Sequence, residues 1–416
     1  MLPFGVAAGP AGAAPRLVVG VGSDAIDLLA ARRAGILGLE LDPSVLAAPC
    51  LNPLLEEGPD TWRALRQRAS ALAADTAALP PGVLHAAAEL TMLLPVRVGD
   101  YVDGYGGIHH AENMGRLFRP GSEPLAPNWR HMPVAYHGLA ATVVVSGTPV
   151  VRPRGQLPGA SGPELAPTAR LDIELEVGMI VGTGNSPGEP IAVDEALDRA
   201  FGIVLLNDWS ARDVQAFESQ PLGPFLGKSF ATSISEWVVP LDALRPFLVP
   251  GLPAAQDPAP PPYLRSSEPA VPDLRLQVLI TTASMRRAGT PAVVVSEVRF
   301  AEAMYWSMAQ QLAHATVNGA VTRPGDLFGS GTASGPEARR SGGSLLELTW
   351  GGRDPLELPG GEVRSFLQDG DTVTLRGWCP AGSEARSDSG TAVAEAAQPR
   401  IELGEVVGTV VPARPS

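Results

Sequence analysis

The chain has 416 residues, and its 31 lysines and arginines stand against 44 aspartates and glutamates, a formal net charge of −13. At roughly 150 residues per domain, that length suggests two or three domains, or one large domain and a small one. The acidic balance argues against a nucleic-acid or anionic-membrane partner, since both call for basic patches, and no apolar run approaches the roughly 20 residues of a membrane span.

The beginning of the chain carries no positive stretch ahead of an apolar run, so it does not read as a signal peptide. Cys50 and Cys379 lie far apart; they could pair in principle, but they form neither a metal spacing nor a disulfide framework. A reducing cytosol is the default setting. Leu17–Val21 reads as a strand, and Gly22 and Ser23 turn it into a second strand over Ala25–Leu28. Gly20, Gly22 and Ala25 echo a dinucleotide-binding loop, but Asp24 sits in the turn and no phosphate or ribose element follows, so a plain turn is expected. Trp62, Leu65, Ala69 and Leu72 fall on one helical face, with Asp60 or Thr61 as the cap. The first 95 residues read as a separate small unit.

After Pro95 the texture changes to short strands with frequent glycine and proline. Ala141–Val145 and Pro149–Val151 flank Ser146 and Gly147 and predict a hairpin. Leu171–Val177 alternates strictly and predicts a half-buried strand. Phe201–Leu206 reads as a core strand, and Leu274–Ile280 as another. Met304, Met308 and Leu312 share one face of a helix that Asn318 and Gly319 would stop. Residues 253–272 are proline-rich, a linker or an ordered surface loop, and residues 382–399 read as a flexible loop. No internal repeat is evident. The sum is a mainly β, α+β protein with a small unit at 1–95 and a large one at 96–416.

Among residues that carry chemistry, Asp172, Glu174 and Glu176 are two apart on a predicted strand, so all three leave one face. Such a row is either a solvated face or a set of oxygen ligands for a hard divalent cation. Asp208 follows a core strand, and Asp100 and Asp103 lie in a polar block that leads to His109 and His110. An all-oxygen set of Asp and Glu suits Mg²⁺ or Ca²⁺ rather than zinc. Four of the six histidines, His109, His110, His131 and His137, fall in this stretch, which points to a general base without saying which one. Only one lysine, Lys228, stands among the basic residues; the rest are arginine. Where coding bias replaces lysine by arginine, a retained lysine is either incidental or needed as a compact ammonium. Gly223, Gly227, Lys228 and Ser229 nearly form a phosphate loop, but one residue is missing between the glycines and no strand leads in. A stiff turn presenting Lys228 beside a metal, where it could stabilise an oxyanion, fits better. There is no G-x-S-x-G nucleophile elbow and no activated cysteine.

Taken together, several blocks resemble the fumarylacetoacetate hydrolase family over nearly the whole chain. They include LPFGV at 2–6, DYVDGY at 100–105, PVAYHG at 133–138, LDIELE at 171–176 and NDWSARD at 207–213. PLGPFLGKSF at 221–230, RPGDL at 323–327, SGT at 330–332 and LLELTW at 345–350 complete the set. The resemblance implies metal-dependent hydrolysis of a carbon–carbon bond in a small diketo acid, 4-fumarylacetoacetate, to fumarate and acetoacetate at the end of tyrosine and phenylalanine breakdown. It implies Asp103, Glu174, Glu176 and Asp208 as ligands of Mg²⁺ or Ca²⁺, with the backbone near Lys228 and Thr232 at a second cation site. His110 would be the base, oriented by Glu347, and Arg212, Gln215 and Lys228 would form the oxyanion hole. Tyr105, Arg119, Tyr136 and Thr332 would hold the substrate. A homodimer, a mixed β-sandwich or β-roll in the large unit and a small Src-homology-3-like β-barrel in the N-terminal one are further implications. Gly104, Gly106, Gly107 and Ser219 depart from the family pattern and are expected to widen the pocket or alter its acid end. Alternatives on the same scaffold are an acylpyruvate hydrolase or a β-keto acid decarboxylase, and, in a different class, a non-catalytic metal-binding scaffold.

Overall fold

The computed structural model describes residues 2–9, 14–381 and 400–415. The flexible loop expected at 382–399 lies outside the described residues. Near the N-terminus a five-stranded antiparallel sheet runs in the order Leu84–Ala86, Asp24–Asp27, Arg16–Val21, Phe4–Ala8, Thr91–Met92. The tight turn between its second and third strands in the chain is made by Gly22 at φ 60° and Ser23, as the turn reading requires. The Pro59–Ala73 helix buries Trp62, Leu65 and Ala69. Its cap is Gly58 at φ 85°, with no side-chain cap, rather than Asp60 or Thr61. Pro59 explains this: proline is favoured in the first helical position, so the helix starts one residue before the polar pair.

This unit is docked onto the rest by one continuous apolar cluster. Phe4 and Trp62 pack edge-on against Phe201, with centroids 5.7 and 5.3 Å away. Phe4 and Val238 exchange backbone hydrogen bonds of 2.9 and 2.8 Å across the junction.

The large unit is two sheets face to face. The eight-stranded one is mixed and runs Ala135–His137, Tyr101–Gly104, Leu327–Gly329, Leu175–Val181, Ala200–Asp208, Thr232–Ile234, Val143–Val145, with Val239–Pro240 also on Ala200–Asp208. Its Tyr101–Gly104 and Leu327–Gly329 pair is parallel, as is Val143–Val145 with Thr232–Ile234. The five-stranded one runs Val293–Arg299, Arg275–Thr281, Thr372–Cys379, Ile401–Val411, Val150–Val151. The sheets meet through Leu205, Leu276, Val278 and Leu375, all buried. Two glycines let them close up: a Cβ at Gly377 would come within 2.8 Å of Leu205, and one at Gly408 within 2.3 Å of Trp209.

Three local expectations need correction, and one open alternative is resolved. The segments around Ser146 and Gly147 do not form a hairpin, because Val143–Val145 joins the larger sheet and Val150–Val151 the smaller. Backbone bonds from Ser146 to Ile234 and from Gly147 to Val407 hold the turn as a bridge between sheets. The 171–177 stretch is two strands, Leu171–Asp172 and Leu175–Val181, and it is buried on both faces: Leu171, Ile173, Leu175 and Val177 enter the apolar core, and Asp172, Glu174 and Glu176 are themselves buried. Met304 lies between two helices, Phe300–Ala303 and Met308–Thr316; the second starts at a Ser307–Gln310 capping box, which outcompetes continuation from the first. Residues 253–272 are an ordered surface segment, tied down by Gln256 to the Tyr305 carbonyl at 2.7 Å. Both cysteines are free. No helix among the described residues is long and apolar enough to cross a membrane.

Candidate active site

The strands of the larger sheet end in a buried cluster of charge. Asp103 sits on Tyr101–Gly104, Glu174 at the break before Leu175–Val181, Glu176 inside that strand, and Asp208 at the carboxyl end of Ala200–Asp208. Carboxylate oxygens of Asp103, Glu174 and Asp208 all lie within 4.8 Å of one another. Glu176 stands beside Asp103: a Cβ at Gly329 would sit 2.8 Å from Asp103 Oδ1 and 2.9 Å from Glu176 Oε2. The absence of a side chain at Gly329 thus leaves space for both acids. Lys228 Nζ lies 2.5 Å from both Glu174 Oε2 and Asp208 Oδ2. The Tyr136 hydroxyl is 2.5 Å from Asp103 Oδ2 and 3.0 Å from Asp208 Oδ2, and Thr232 Oγ1 reaches Asp208 Oδ1 at 3.4 Å.

The electrostatics divide the acids. Burial pushes the Glu174 carboxyl up, but Lys228, Arg212 and His110 outweigh it and hold Glu174 well below the usual range. Asp103 is held well above that range by burial and then by Asp208, and Glu176 by burial and then by Asp103. Burial and the same carboxylates raise Tyr101 and Tyr136. For Lys228 burial opposes the charge, yet Asp208 and Glu174 more than offset it and its pKa rises.

This donor set fits a hard divalent cation. All its side-chain donors are oxygens, four carboxylates face one ammonium and part of one guanidinium, and Asp103 Oδ1 and Glu176 Oε1 are buried with no hydrogen-bond partner. An ammonium is not a ligand, so Lys228 could serve a cation only through its backbone.

Beside the acids stands a histidine with an oriented ring. The Ile108–Phe118 helix brings His110 and Asn113, one turn apart, onto one face. His110 Nδ1 lies 2.7 Å from Glu347 Oε2. A carboxylate only accepts, so Nδ1 carries a proton, and in the neutral ring that leaves the lone pair on Nε2. That Nε2 is 3.7 Å from Glu174 Oε1, beyond hydrogen-bond distance. Glu347 is buried and held in turn by Asn113 Nδ2 at 2.9 Å, Ser334 Oγ at 2.9 Å and Ser344 Oγ at 2.8 Å. Burial raises its carboxyl, but His110, Asn113 and Ser344 bring it below the usual range.

Arg212 opens the Arg212–Glu218 helix. Its Nη1 lies 2.7 Å from Glu174 Oε1 and 3.2 Å from Gln215 Oε1. Its Nη2 is buried without a partner, as is Thr332 Oγ1. The Tyr105 ring meets the His110 ring edge-on at 5.6 Å. Arg119 is exposed and donates to the Pro124 carbonyl at 2.7 Å, close enough to Tyr105 to influence its hydroxyl.

Three sequence expectations do not hold here. Asp172 leaves the acid row: the strand breaks after it, and it pairs with Arg212. Asp100 is exposed and pairs with Arg323 at 3.1 Å. Gly104, Gly106 and Gly107 do not widen the pocket; a Cβ would fall 2.3 Å from Gln311 Oε1, 2.7 Å from Gln311 Nε2 and 2.3 Å from the Thr332 carbonyl respectively. They are glycines because backbone and Gln311 fill their space. The Ser219 hydroxyl bonds back to the Gln215 carbonyl of its own helix. Of the four clustered histidines only His110 touches these acids; His131 and His137 are exposed. Sequence reasoning missed Asn113, Ser334 and Ser344. The three-residue spacing of His110 and Asn113, and the Ser344-x-x-Glu347 capping pattern, were signals that could have found two of them.

Family models describe both parts of the chain: residues 101–411 match the C-terminal part of fumarylacetoacetate hydrolases, and residues 1–95 match the fumarylacetoacetase N-terminal model. The chain belongs to the fumarylacetoacetate hydrolase family. It is 44% identical over 390 residues to Fumarylacetoacetase of Arabidopsis thaliana, covering 91% of this chain and 90% of that protein. It is 42% identical over 424 residues to Fumarylacetoacetase of Homo sapiens, covering 99% and 95%. Among solved structures, fumarylacetoacetate hydrolase of Exiguobacterium antarcticum superposes with a TM-score of 0.54 at 14% identity, with 100% of each chain covered, and shares the fold.

Proposed function

We propose that this chain hydrolyses the carbon–carbon bond of 4-fumarylacetoacetate to fumarate and acetoacetate, a step of tyrosine and phenylalanine catabolism. Near-full-length likeness to Fumarylacetoacetase of Homo sapiens supports the substrate. The observation that carries the chemistry is the His110–Glu347 pair set against a buried, partly orphaned carboxylate cluster. Asp103, Glu174, Glu176 and Asp208 would hold Mg²⁺ or Ca²⁺; bound there, the ion would polarise a substrate carbonyl as a Lewis acid. A second cation near Lys228 and Thr232 is part of the same reading.

The protein's own residues account for the rest. His110 Nε2 takes a proton from water while Glu347 holds the ring through Nδ1 and stabilises the imidazolium. The resulting hydroxide adds to the carbonyl carbon. Arg212 Nη2, free of other partners, and Lys228 Nζ face the oxyanion, with Gln215 fixing the guanidinium. As the oxyanion collapses the carbon–carbon bond breaks, and the imidazolium returns its proton to the carbon that leaves. Tyr105, Tyr136 and Thr332 Oγ1 position the diketo acid, and Arg119 pairs with its far carboxylate. The same reading assigns all the chemistry to residues 96–416 and leaves 1–95 as a docked unit. It includes a cytoplasmic setting and a homodimer; exposed Leu222, Phe225 and Leu226 on the loop before Lys228 supply apolar surface for such contact.

The test is loss of diketo absorbance on adding purified protein to fumarylacetoacetate, with and without chelator and restored Mg²⁺ or Ca²⁺. Metal-dependent formation of fumarate and acetoacetate supports the proposal. Turnover of acylpyruvates alone overturns the substrate, and cation binding without turnover of any diketo acid overturns the reaction.

A further inference from the structure

Asp172 is fully buried, and its two oxygens accept four N–H groups from three different segments. Oδ1 accepts from its neighbour Ile173 N at 2.8 Å and from Leu345 N at 2.7 Å; Oδ2 accepts from Arg212 Nε at 2.8 Å and from Leu346 N at 3.1 Å. Leu345 and Leu346 are the first two residues of the Leu345–Leu348 helix, whose amides have no partner within the helix itself. The next residue is Glu347, which holds His110. Arg212, on the other side, carries the unpartnered Nη2. One carboxylate therefore ties the guanidinium arm of the site to the turn that orients the histidine.

We propose that Asp172 is a positioning residue that fixes Arg212 and the Glu347 turn relative to each other, so that proton removal at His110 and oxyanion stabilisation at Arg212 act on the same carbonyl. The assignment rests on the reaction proposed above. Asp172 touches neither substrate nor the reacting atoms; it acts through both arms. A carboxylate is required because all four of its contacts are donors. Asparagine of the same shape would present an NH₂ group to at least one of them, and a buried donor facing a donor is repelled.

The test is Asp172→Asn read in two ways. The first needs no substrate: the Nδ1 proton of His110, assigned by its absence in His110→Asn, is followed by NMR on histidine-labelled protein. D172N is expected to shift or broaden that line, because the Glu347 turn loses its anchor. The second is a kinetic cycle on kcat. D172N is expected to lower kcat ~10²-fold, the scale of losing one oriented oxyanion donor, with KM little changed. In an Arg212→Ala background the same change is expected to cost less than ~3-fold, since the arm it positions is gone. An equal loss in both backgrounds, or an unmoved His110 line, overturns the proposal. If no form turns over a diketo acid, the reaction reading falls and the NMR line alone decides the clamp. Asp172→Ser, which removes the charge but leaves room for water, takes the place of D172N if the latter does not fold.

Discussion

Replacing Glu347 with glutamine isolates the charge behind His110 from the geometry around it. The wild-type carboxylate accepts four donors: His110 Nδ1, Asn113 Nδ2, Ser334 Oγ and Ser344 Oγ. Glutamine can keep its carbonyl oxygen toward His110 and the serines, which puts its NH₂ toward Asn113. The Asn113 amide can then turn over and accept, giving up only the 3.3 Å bond from Arg116 Nη1. The fold should therefore lose about 1 kcal/mol, the worth of one ordinary hydrogen bond. What disappears is the anion that stabilises the imidazolium. A hydrogen bond to a charged group contributes about 1.5–3 kcal/mol, and at 1.36 kcal/mol per decade that predicts a kcat lower by about 10- to 150-fold. The assay is kcat from loss of diketo absorbance at saturating substrate, with the thermal midpoint of the same preparation as control. A kcat within about twofold of wild type, at an unchanged midpoint, would refute a role for Glu347 charge in the reaction.

Lys228→Met strips Glu174 and Asp208 of their shared ammonium; removing one partner of a buried pair costs about 3–5 kcal/mol, so denaturant unfolding in chelator should shift strongly, and an unmoved midpoint would show that the ammonium is dispensable. Mg²⁺ or Ca²⁺ should bind saturably and stabilise the wild type by about 2.7 kcal/mol at 100-fold its dissociation constant, with Glu176→Gln binding more weakly in calorimetry; equal binding by both would remove Glu176 from the ligand set. Burial pushes the Cys379 thiol up to about 12, so it should resist alkylation at pH 8 in the folded protein and react only in denaturant, as peptide mapping would show. The folded state holds that proton longer, so its contribution to stability is complete below the unfolded pKa of about 8.5 and is lost as pH rises from there toward 12. A Cys379→Ser variant should lose that part of the alkaline fall-off.

The sequence carried the parts that depend on local spacing and side-chain chemistry. Alternation put Glu174 and Glu176 two apart, and both side chains do join the acids. The apolar run ending in Asp208 is a fully buried strand that delivers its acid at the carboxyl end. The lone lysine is buried between two of those acids. The same local rules misled wherever a long-range partner took over. Ser146 and Gly147 look like a hairpin turn, but the flanking valines found different partners in two sheets, because hydrogen-bonding edges available elsewhere in the fold compete with the nearer strand. Asp172 shares its periodicity with Glu174, yet the strand breaks between them and the helix amides at Leu345 and Leu346 claim its oxygens.

Composition, hydrophobic pattern and residue type thus determined a mainly β chain, a row of acids and a group of histidines around residue 110. Residue type and spacing left four histidines open and the family resemblance pointed to His110; only the tertiary structure shows Glu347, 237 residues away in the chain, 2.7 Å from one ring nitrogen of His110 and of no other histidine in that stretch. It also decided that Asp172 serves Arg212 and that the glycines at 104, 106 and 107 make room for backbone rather than for substrate. The reason is common to all three: a contact between distant segments is set by how whole sheets and helices bury their apolar faces, and no local spacing encodes which polar groups that burial brings together.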